Sequence, residues 1–225
     1  MTLYVVATPI GNLGDVTDRA KEVLGSVDLI LCEDTRVTKK LLFAFGLTTP
    51  TESLHQHTTS AKHQRLIELL REGKNLALVS DAGTPNVSDP GGRFVADAVA
   101  ELGDTLDVVP IPGASALTAA LSISGFPADT FTFLGFPPHK KGRKSFFEAL
   151  DGIAHTLVFY ESIHRVEKAL SELNRVMPAR NILLARELTK LHETLYRGTP
   201  AQVTAALEED TIKGECVFVI APKKL

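Results

Sequence analysis

The first half of the chain alternates short apolar runs with segments in which apolar residues recur at helical spacing. This alternation is typical of parallel strands joined by helical crossovers. It predicts strands at 3–8, 28–33, 75–80 and 106–110. We therefore expect an α/β fold whose first half is a mostly parallel sheet with flanking helices.

Two of the predicted crossover helices have recognisable ends. The first spans 60–73, with Ser60 as its cap and Gly73 at its end, and the second spans 92–103 and closes at Gly103. Both carry apolar residues at helical spacing, which predicts that one face packs on the sheet. The inward-facing residues are predicted to be Leu66, Ile67, Leu69 and Leu70 in the first helix, and Phe94, Val95, Ala98, Val99 and Leu102 in the second.

A turn at 125–129 precedes a second region of mixed α/β pattern. Thr199 is expected to cap a helix that Pro200 begins. We predict an N-terminal domain over 1–114 and a C-terminal domain over 115–225. The elements predicted for the second domain are strands at 131–136, 156–160, 181–187, 193–198 and 216–221 and helices at 143–150 and 163–176.

The composition is that of an ordinary globular chain: 225 residues, 44% hydrophobic and 23% charged. The apolar run Leu3–Ala7 is interrupted by Pro9 and is too short for a signal peptide or a membrane span. Cys32 and Cys216 lie within apolar runs, which favours buried thiols over a disulfide or a metal site. We therefore expect a protein of the reducing cytoplasm that has no membrane attachment.

The formal net charge of −3 excludes a protein that grips nucleic acid over its whole surface. Any contact with RNA must be local. The densest basic tract is His139-Lys140-Lys141-Gly142-Arg143-Lys144, which we interpret either as an RNA contact or as a solubilising loop.

Polar and glycine-rich segments follow all four predicted N-terminal strands. Because the carboxyl ends of parallel strands meet at one edge of a sheet, these segments should converge on one site. Glycine exposes backbone groups to a ligand, and a carboxylate can hold ribose hydroxyls or an ammonium. The alternative is that these residues only end strands and cap helices. The four segments are Thr8-Pro9-Ile10-Gly11-Asn12-Leu13-Gly14-Asp15, Glu33-Asp34-Thr35-Arg36, Ser80-Asp81-Ala82-Gly83-Thr84-Pro85 and Pro110-Ile111-Pro112-Gly113-Ala114-Ser115.

Several common enzyme motifs are missing from the sequence. It has no Gly-x-Gly-x-x-Gly or Walker loop, no Cys/His cluster with zinc spacing and no Gly-x-Ser-x-Gly elbow. A nicotinamide dehydrogenase and a nucleotide triphosphatase are thus disfavoured. In the second half, 160–165 and 185–193 follow apolar strands with residues suited to proton handling, to phosphate contact or simply to surface ion pairs.

Taken together, seven motifs resemble the ribosomal RNA small-subunit methyltransferase I family, the 16S rRNA (cytidine-2′-O)-methyltransferases of the tetrapyrrole-methylase superfamily. The resemblance runs in order from residue 3 to about residue 221. The chain departs from the family pattern at Asn86-Val87, and many members carry a further C-terminal segment. The motifs are the 8–15, 33–36 and 80–85 segments, Ser88-Asp89-Pro90-Gly91, Pro112-Gly113-Ala114-Ser115-Ala116, Phe159-Tyr160-Glu161-Ser162 and Ala185-Arg186-Glu187-Leu188-Thr189-Lys190.

The resemblance implies a two-domain tetrapyrrole-methylase fold, a homodimer, and S-adenosylmethionine bound in the cleft between the domains. It implies methylation of a cytidine ribose in the decoding centre of the small ribosomal subunit, without a metal. The cofactor neighbourhood that it implies consists of Pro9, Ser80, Asp81, Ala82, Gly83, Thr84, Pro85, Ser88, Asp89, Ser115 and Ala116.

Methyl transfer requires the protein to position two reactants and to handle one hydroxyl proton. Our candidates for orienting or deprotonating the hydroxyl are Glu187 and Lys190, with Arg186 holding a neighbouring phosphate. Glu33, Asp34 and Glu161 could take the same part, and no base is needed if the proton leaves after transfer.

Two rival functions stay open. A corrinoid or porphyrin methylase would keep the fold and change the substrate, and the basic tract and the 186–190 motif argue against it. A non-catalytic RNA-binding assembly protein with a vestigial cofactor cleft is disfavoured by the intact glycine loops and carboxylates. The sequence leaves open the target nucleotide and atom, and whether free RNA or an assembled subunit is the substrate.

Overall fold

The computed structural model describes residues 1–55, 58–207 and 214–223. The chain forms two compact units, Met1–Ser115 and Ala116–Leu225. Across the described ranges, no helix combines the length and the apolar character needed to cross a membrane.

The first unit is built on a five-stranded sheet with strand order β3-β2-β4-β1-β5. All of its strand pairs are parallel, so every carboxyl end lies at the same edge, as the sequence predicts. Its elements are β1 Thr2–Val6, α1 Asp18–Ser26, β2 Leu29–Cys32, α2 Thr35–Ala44, β3 Thr51–Ser53, α3 Ser60–Arg71, β4 Leu76–Val79, α4 Gly92–Leu102 and β5 Asp107–Ile111.

Alternate residues of β4 serve two different cores. Leu76 and Leu78 belong to a cluster with apolar residues of α3 and α4, whereas Ala77 and Val79 belong to a cluster with residues of α1 and α2. Successive side chains of a strand point to opposite faces. Helices therefore cover both faces of this parallel sheet, and the carboxyl edge is left for a ligand site.

The second unit contains a mixed five-stranded sheet with strand order β6-β7-β10-β8-β9. Strand β6 pairs parallel to β7, and the other pairs are antiparallel. Helices α6, α7 and α8 supply buried residues to one core with the strands. The elements are α5 Ala116–Ser124, β6 Phe131–Phe133, α6 Arg143–Leu150, β7 Thr156–Ser162, α7 Val166–Val176, β8 Ile182–Arg186, β9 Thr194–Gly198, α8 Pro200–Leu207 and β10 Glu215–Ile220.

Two local sequence predictions are confirmed. Thr199 caps α8: its Oγ1 accepts from the N–H of Gln202 at 3.4 Å, while the Gln202 side chain accepts from the N–H of Thr199 at 2.8 Å. This reciprocal pair is a capping box. Cys32 and Cys216 are both free and buried.

Three details of the sequence prediction are wrong. The cap of α3 is Thr59, whose hydroxyl accepts from the N–H of Lys62, and Ser60 is already helical. Val99 was expected to face the core but is 47% exposed, because it lies at the margin of the buried face of α4. Strand β3 was missed because the segment Thr51-Glu52-Ser53 has no apolar run and pairs only with β2.

Candidate active site

The loops that follow β1, β4 and β5 are tied together by hydrogen bonds. Thr8 and Gly83 form an isolated antiparallel bridge, with N–H to oxygen distances of 2.9 and 3.0 Å. Gly83 has φ of +88°, a conformation that an L side chain rarely adopts. The Thr84 hydroxyl donates to the carbonyl of Ala114 at 3.1 Å. Three of the four predicted ligand loops thus form one connected surface at the carboxyl edge.

Buried hydroxyl groups hold this surface from inside. The Thr8 Oγ1 donates to the Ser80 carbonyl at 3.1 Å, and the Ser80 Oγ donates to the Gly83 carbonyl at 3.1 Å. Thr8 and Ser80 are 2% and 3% exposed. Ser80 therefore shapes the loop rather than offering its hydroxyl to a ligand.

The connection between β4 and α4 has an unusual backbone. Asn86 and Ser88 have φ near +70°, and Gly91 has φ of +126°. A Cβ added to Gly91 would lie 2.8 Å from Asn86 Oδ1 and 2.8 Å from Leu78 Cδ2. Asn86 is thus packed against a glycine that tolerates no side chain. Left-handed non-glycine residues cluster at functional sites, where the surrounding structure maintains them.

The predicted cofactor residues differ in accessibility. Together these residues offer backbone groups, hydroxyl groups and carboxylates, which fit the adenosine and methionine parts of S-adenosylmethionine. Pro9, Ser80, Gly83 and Pro85 are buried; Asp81, Thr84, Asp89, Ser115 and Ala116 are half-buried; Ala82 and Ser88 are exposed.

The structure distinguishes the acidic residues that follow β2 and β4. Asp34 caps α2 and also pairs with the Arg36 guanidinium at 2.6 Å; these contacts lower the pKa of Asp34 to about 2. Asp81 Oδ1 accepts from the Asp34 backbone N–H at 3.0 Å. The Glu33 carboxylate, by contrast, has no hydrogen bond or ion pair to any residue within the described ranges. Glu33 is therefore the strand-end carboxylate that is available to a ligand.

Glu33 lies in an open cleft of about 740 Å³ within the first unit. We call it the Glu33 cleft. His63 on its wall directs Nδ1 to Asp97 Oδ2 at 2.9 Å and meets the Phe94 ring edge-on, with a centroid separation of 5.6 Å. The lining residues are Glu33, Leu54, His55, His63, Ser88, Asp89, Pro90, Gly91, Gly92, Arg93 and Phe94.

The sequence analysis did not single out His55, His63 or Arg93. A signal for His63 was present: it precedes Leu66, Ile67 and Leu70 by three, four and seven residues, which places it on the buried face of α3. His55 and Arg93 carry no comparable pattern.

In the second unit, Glu187 and Lys190 form an ion pair. Lys190 Nζ lies 2.8 Å from Glu187 Oε1 and 3.1 Å from Glu215 Oε2. Glu187 has φ of +52° and also accepts from the Glu215 N–H at 2.9 Å. A Cβ at Gly214 would overlap the Glu187 side chain, so glycine is required there.

The ionisation of this pair limits its chemistry. Burial raises the pKa of Glu187, but the hydrogen bonds from Lys190 and from the Glu215 backbone outweigh it, and the pKa is lowered overall. Burial lowers the pKa of Lys190, yet its bonds to Glu187 and Glu215 raise it overall. Glu187 is therefore a carboxylate and Lys190 an ammonium near neutral pH. Both can orient a hydroxyl, and neither is suited to removing its proton.

Arg186, the third catalytic candidate, is 7% exposed and donates from Nη2 to Thr194 Oγ1 at 2.9 Å. So little of its surface is accessible that the expected contact with an RNA phosphate would require a local rearrangement.

A second buried ion cluster changes the interpretation of the basic tract. The Glu161 side chain is fully buried and lies 2.8 Å from Arg143 Nη2 and 2.7 Å from Arg165 Nε. Arg165 Nη1 is also 3.0 Å from His139 Nδ1. Glu161 was considered a possible catalytic carboxylate, and Arg143 a phosphate contact; the two instead neutralise each other inside the unit.

The three lysines of the tract remain accessible. Lys140, Lys141 and Lys144 are exposed, and only Lys144 has a carboxylate nearby, Glu148 at 3.9 Å. The accessible positive charge of this tract therefore comes from its three lysines, and Arg143 does not contribute to it.

Comparison with known proteins gives a consistent result. The sequence model of the family described as "Tetrapyrrole (Corrin/Porphyrin) Methylases" matches residues 2–204. A protein of Synechocystis sp. named ribosomal RNA small subunit methyltransferase I is 48% identical over 97% of this chain and 78% of its own length. Proteins of the same name from Bacillus subtilis and Escherichia coli O157:H7 are each 45% identical, over 97% and 99% of this chain and 74% and 78% of their own lengths.

Solved structures agree on the fold. A diphthine synthase structure superposes with a TM-score of 0.72 at 17% identity, covering 100% of this chain and 90% of the other. A uroporphyrin-III-C-methyltransferase from Thermus thermophilus gives a TM-score of 0.65 at 21% identity, covering 98% and 94%. At these identities the likeness concerns the fold alone.

Proposed function

This chain belongs to the tetrapyrrole (corrin/porphyrin) methylase family, and we propose that it transfers a methyl group from S-adenosylmethionine to a cytidine 2′-hydroxyl of 16S ribosomal RNA. The observation that carries the proposal is the set of relatives, 44–48% identical over at least 97% of this chain, that are named ribosomal RNA small subunit methyltransferase I. The cytidine and the 2′-oxygen come from the motif resemblance. Such a substrate would place the protein in the cytoplasm, acting on the small ribosomal subunit; the homodimer comes from the resemblance.

The cofactor would be held by the connected loops after β1, β4 and β5. Exposed backbone at Ala82 and the hydroxyl of Ser88 suit its adenosine and methionine parts, while Thr8 and Ser80 keep the loops in place from below. When bound, S-adenosylmethionine supplies an electrophilic methyl group on a positively charged sulfur.

In the proposed reaction the 2′-oxygen forms a bond to the methyl carbon. The carbon–sulfur bond breaks with its electron pair moving to sulfur, and the hydroxyl proton passes to water. Glu187 would accept a hydrogen bond from the hydroxyl, and Lys190 would fix the Glu187 carboxylate at 2.8 Å. Because the pKa of Glu187 is lowered, we assign it to orientation rather than to proton removal.

The test uses small ribosomal subunits from a strain that lacks the endogenous enzyme. The purified chain is incubated with subunits and isotope-labelled S-adenosylmethionine, and the RNA is digested and analysed by mass spectrometry. We expect label in 2′-O-methylcytidine. Label on a base, or no incorporation at all, would contradict the proposal. Parallel incubation with uroporphyrinogen III tests the rival tetrapyrrole substrate.

A further inference from the structure

We propose that the Glu33 cleft binds the acceptor nucleotide of the RNA, with the Glu33 carboxylate hydrogen-bonded to a donor group of that nucleotide and the start of α4 facing its phosphate. This inference rests on the proposed function. It identifies where in the first unit the substrate, rather than the cofactor, would be held.

Glu33 supplies a recognition group of the appropriate chemistry. It is half-buried at the carboxyl end of β2, and its carboxylate is unpartnered within the described ranges, whereas the carboxylates of Asp34 and Asp81 are both engaged in contacts with the protein. Carboxylates accept hydrogen bonds from the exocyclic amino group of cytosine. Ribose hydroxyls are the other donors that a ribonucleotide carries.

The part of the cleft formed by the start of α4 can receive an anion. Helix α4 has 11 residues and begins after Gly91, which provides no side-chain cap of its own, and the N–H groups of its first turn lie at the helix N-terminus. Such N–H groups, together with the helix dipole, attract phosphate. Arg93 lines the same cleft; its Nε lies 3.7 Å from Asp97 Oδ2, and its side chain is 69% exposed, so the guanidinium can still reach an anion. The charge distribution thus matches a nucleotide, with a donor group at Glu33 and a phosphate at α4.

His63 adds a further polar group to the cleft. The residue is only 6% exposed, yet it lines the cleft. Its Nδ1 is engaged with Asp97 at 2.9 Å, and its Nε2 has no hydrogen-bond partner among the described residues. This Nε2 is accessible rather than buried, so it can bond to a ligand or to water in the cleft.

Size and position agree with this assignment. The volume of about 740 Å³ lies within the range of roughly 300–1,000 Å³ that small-molecule sites occupy, and is sufficient for one nucleotide turned out of its stack. The floor is apolar, formed by Leu54 and Phe94. Ser88 and Asp89, which the resemblance assigns to the cofactor, also line this cleft, so the acceptor would lie directly beside the cofactor with these two residues at the boundary.

The first experiment compares Glu33→Gln with Glu22→Gln, a matched change of charge on the exposed surface of α1. Methyl transfer to small subunits is measured against subunit concentration, and S-adenosylmethionine binding by calorimetry. We expect Glu33→Gln to raise KM for the subunit at least about tenfold, as expected for loss of a charge-assisted hydrogen bond. The cofactor Kd should be unchanged in both variants, and Glu22→Gln should behave as wild type.

An unchanged KM in Glu33→Gln would overturn the inference while leaving the proposed function intact. Weaker cofactor binding in Glu33→Gln would also overturn it, because the cleft would then belong to the cofactor site. If wild type transfers no methyl group to RNA, a titration with cytidine 5′-monophosphate tests whether the Glu33 cleft binds a nucleotide. The measurement is the NMR shift of the His63 ring resonances as the nucleotide is added. Shifts in wild type that become smaller in Glu33→Gln would support a nucleotide site, and resonances that do not move in wild type would exclude one.

Discussion

The carboxylate of Asp81 accepts a hydrogen bond from the backbone N–H of Asp34 at 3.0 Å. This bond joins the loop after β4 to the start of α2. A residue that the sequence pattern assigns to the cofactor therefore also satisfies a backbone group at a helix terminus, and the two roles have to be separated by experiment.

We predict that Asp81→Ala lowers the free energy of unfolding by about 1 kcal/mol, because the Asp34 N–H loses its acceptor. Asp81→Asn keeps an acceptor oxygen at the same place and should retain most of this stability. Cofactor affinity should fall in both variants if the negative charge serves the ligand. Urea unfolding measures the stability, and calorimetry measures the affinity for S-adenosylmethionine. If Asp81→Asn binds the cofactor with wild-type affinity, the only role of the Asp81 side chain is to accept the hydrogen bond from Asp34.

Glu187→Gln and Lys190→Ala should each slow methyl transfer by about tenfold or more while leaving S-adenosylmethionine binding intact, because the pair is assigned to orienting the hydroxyl. Single-turnover rates on small subunits measure the effect. If both variants react at the wild-type rate, the pair has no part in the mechanism.

The pH dependence tests the same pair in another way. The pKa of Glu187 is lowered in the folded protein, so its pairing stabilises the fold above the ordinary glutamate pKa and the stabilisation is lost as the pH falls through the folded pKa. Wild type should therefore lose more stability than Glu187→Gln on acidification below about pH 4.5. The wild-type transfer rate should show no Glu187 inflection between about pH 6 and 9. An inflection that Glu187→Gln removes would make Glu187 a general base.

Much of the fold could be predicted because apolar periodicity determines it directly. The four apolar strands of the first sheet and the packing faces of α3 and α4 follow from local patterns. Strand β3 and the Thr59 cap could not be predicted in the same way, because polar segments such as Thr51–Ser53 become strands only when a neighbour such as β2 offers its edge.

The site was harder to predict, for a physical reason. Sequence shows that Glu33, Asp34 and Asp81 follow strands, but it cannot show which carboxylates already have protein partners. Hydrogen bonds to backbone N–H groups leave no trace in composition. Similarly, the sequence groups Arg143 with the other cations of the basic tract. Only the structure shows that Arg143 is paired with Glu161, at a distance of 2.8 Å.

Replacing Lys140, Lys141 and Lys144 with Ser should weaken binding to small subunits and flatten the dependence of log affinity on log salt. Each lost contact with single-stranded RNA contributes about 0.7, so the slope should change by up to about 2 units. Cofactor binding should be unaffected. An unaltered slope would mean that the RNA is held elsewhere.

Arg143→Ser should behave differently from the lysine variants. It leaves the Glu161 carboxylate buried with Arg165 alone, and breaking a buried pair in this way costs about 3–5 kcal/mol. We expect a clear loss of thermal stability, with little further change in salt dependence. A variant as stable as wild type would show that Arg165 suffices for Glu161.

The two thiols should resist alkylation in the folded protein. Burial raises the pKa of Cys216 to about 12 and also raises the pKa of Cys32, so little thiolate exists at pH 8. Modification by iodoacetamide should be at least about 100-fold slower than in denaturant, since the thiolate is the reactive species. Rapid labelling of the native protein would contradict this burial.

The position of β1 between β4 and β5 has a consequence for how the protein is made. Residues 2–6 pair with 76–79 on one side and with 107–111 on the other. Strand β1 is therefore synthesised about a hundred residues before its partner β5, and contacts this distant in sequence form slowly. Ribosome-bound chains that expose residues up to about 100 should leave unprotected in hydrogen exchange those β1 amides that bond to β5. Until β5 is made, this apolar strand has one unpaired edge, although in the finished sheet it lies between two strands.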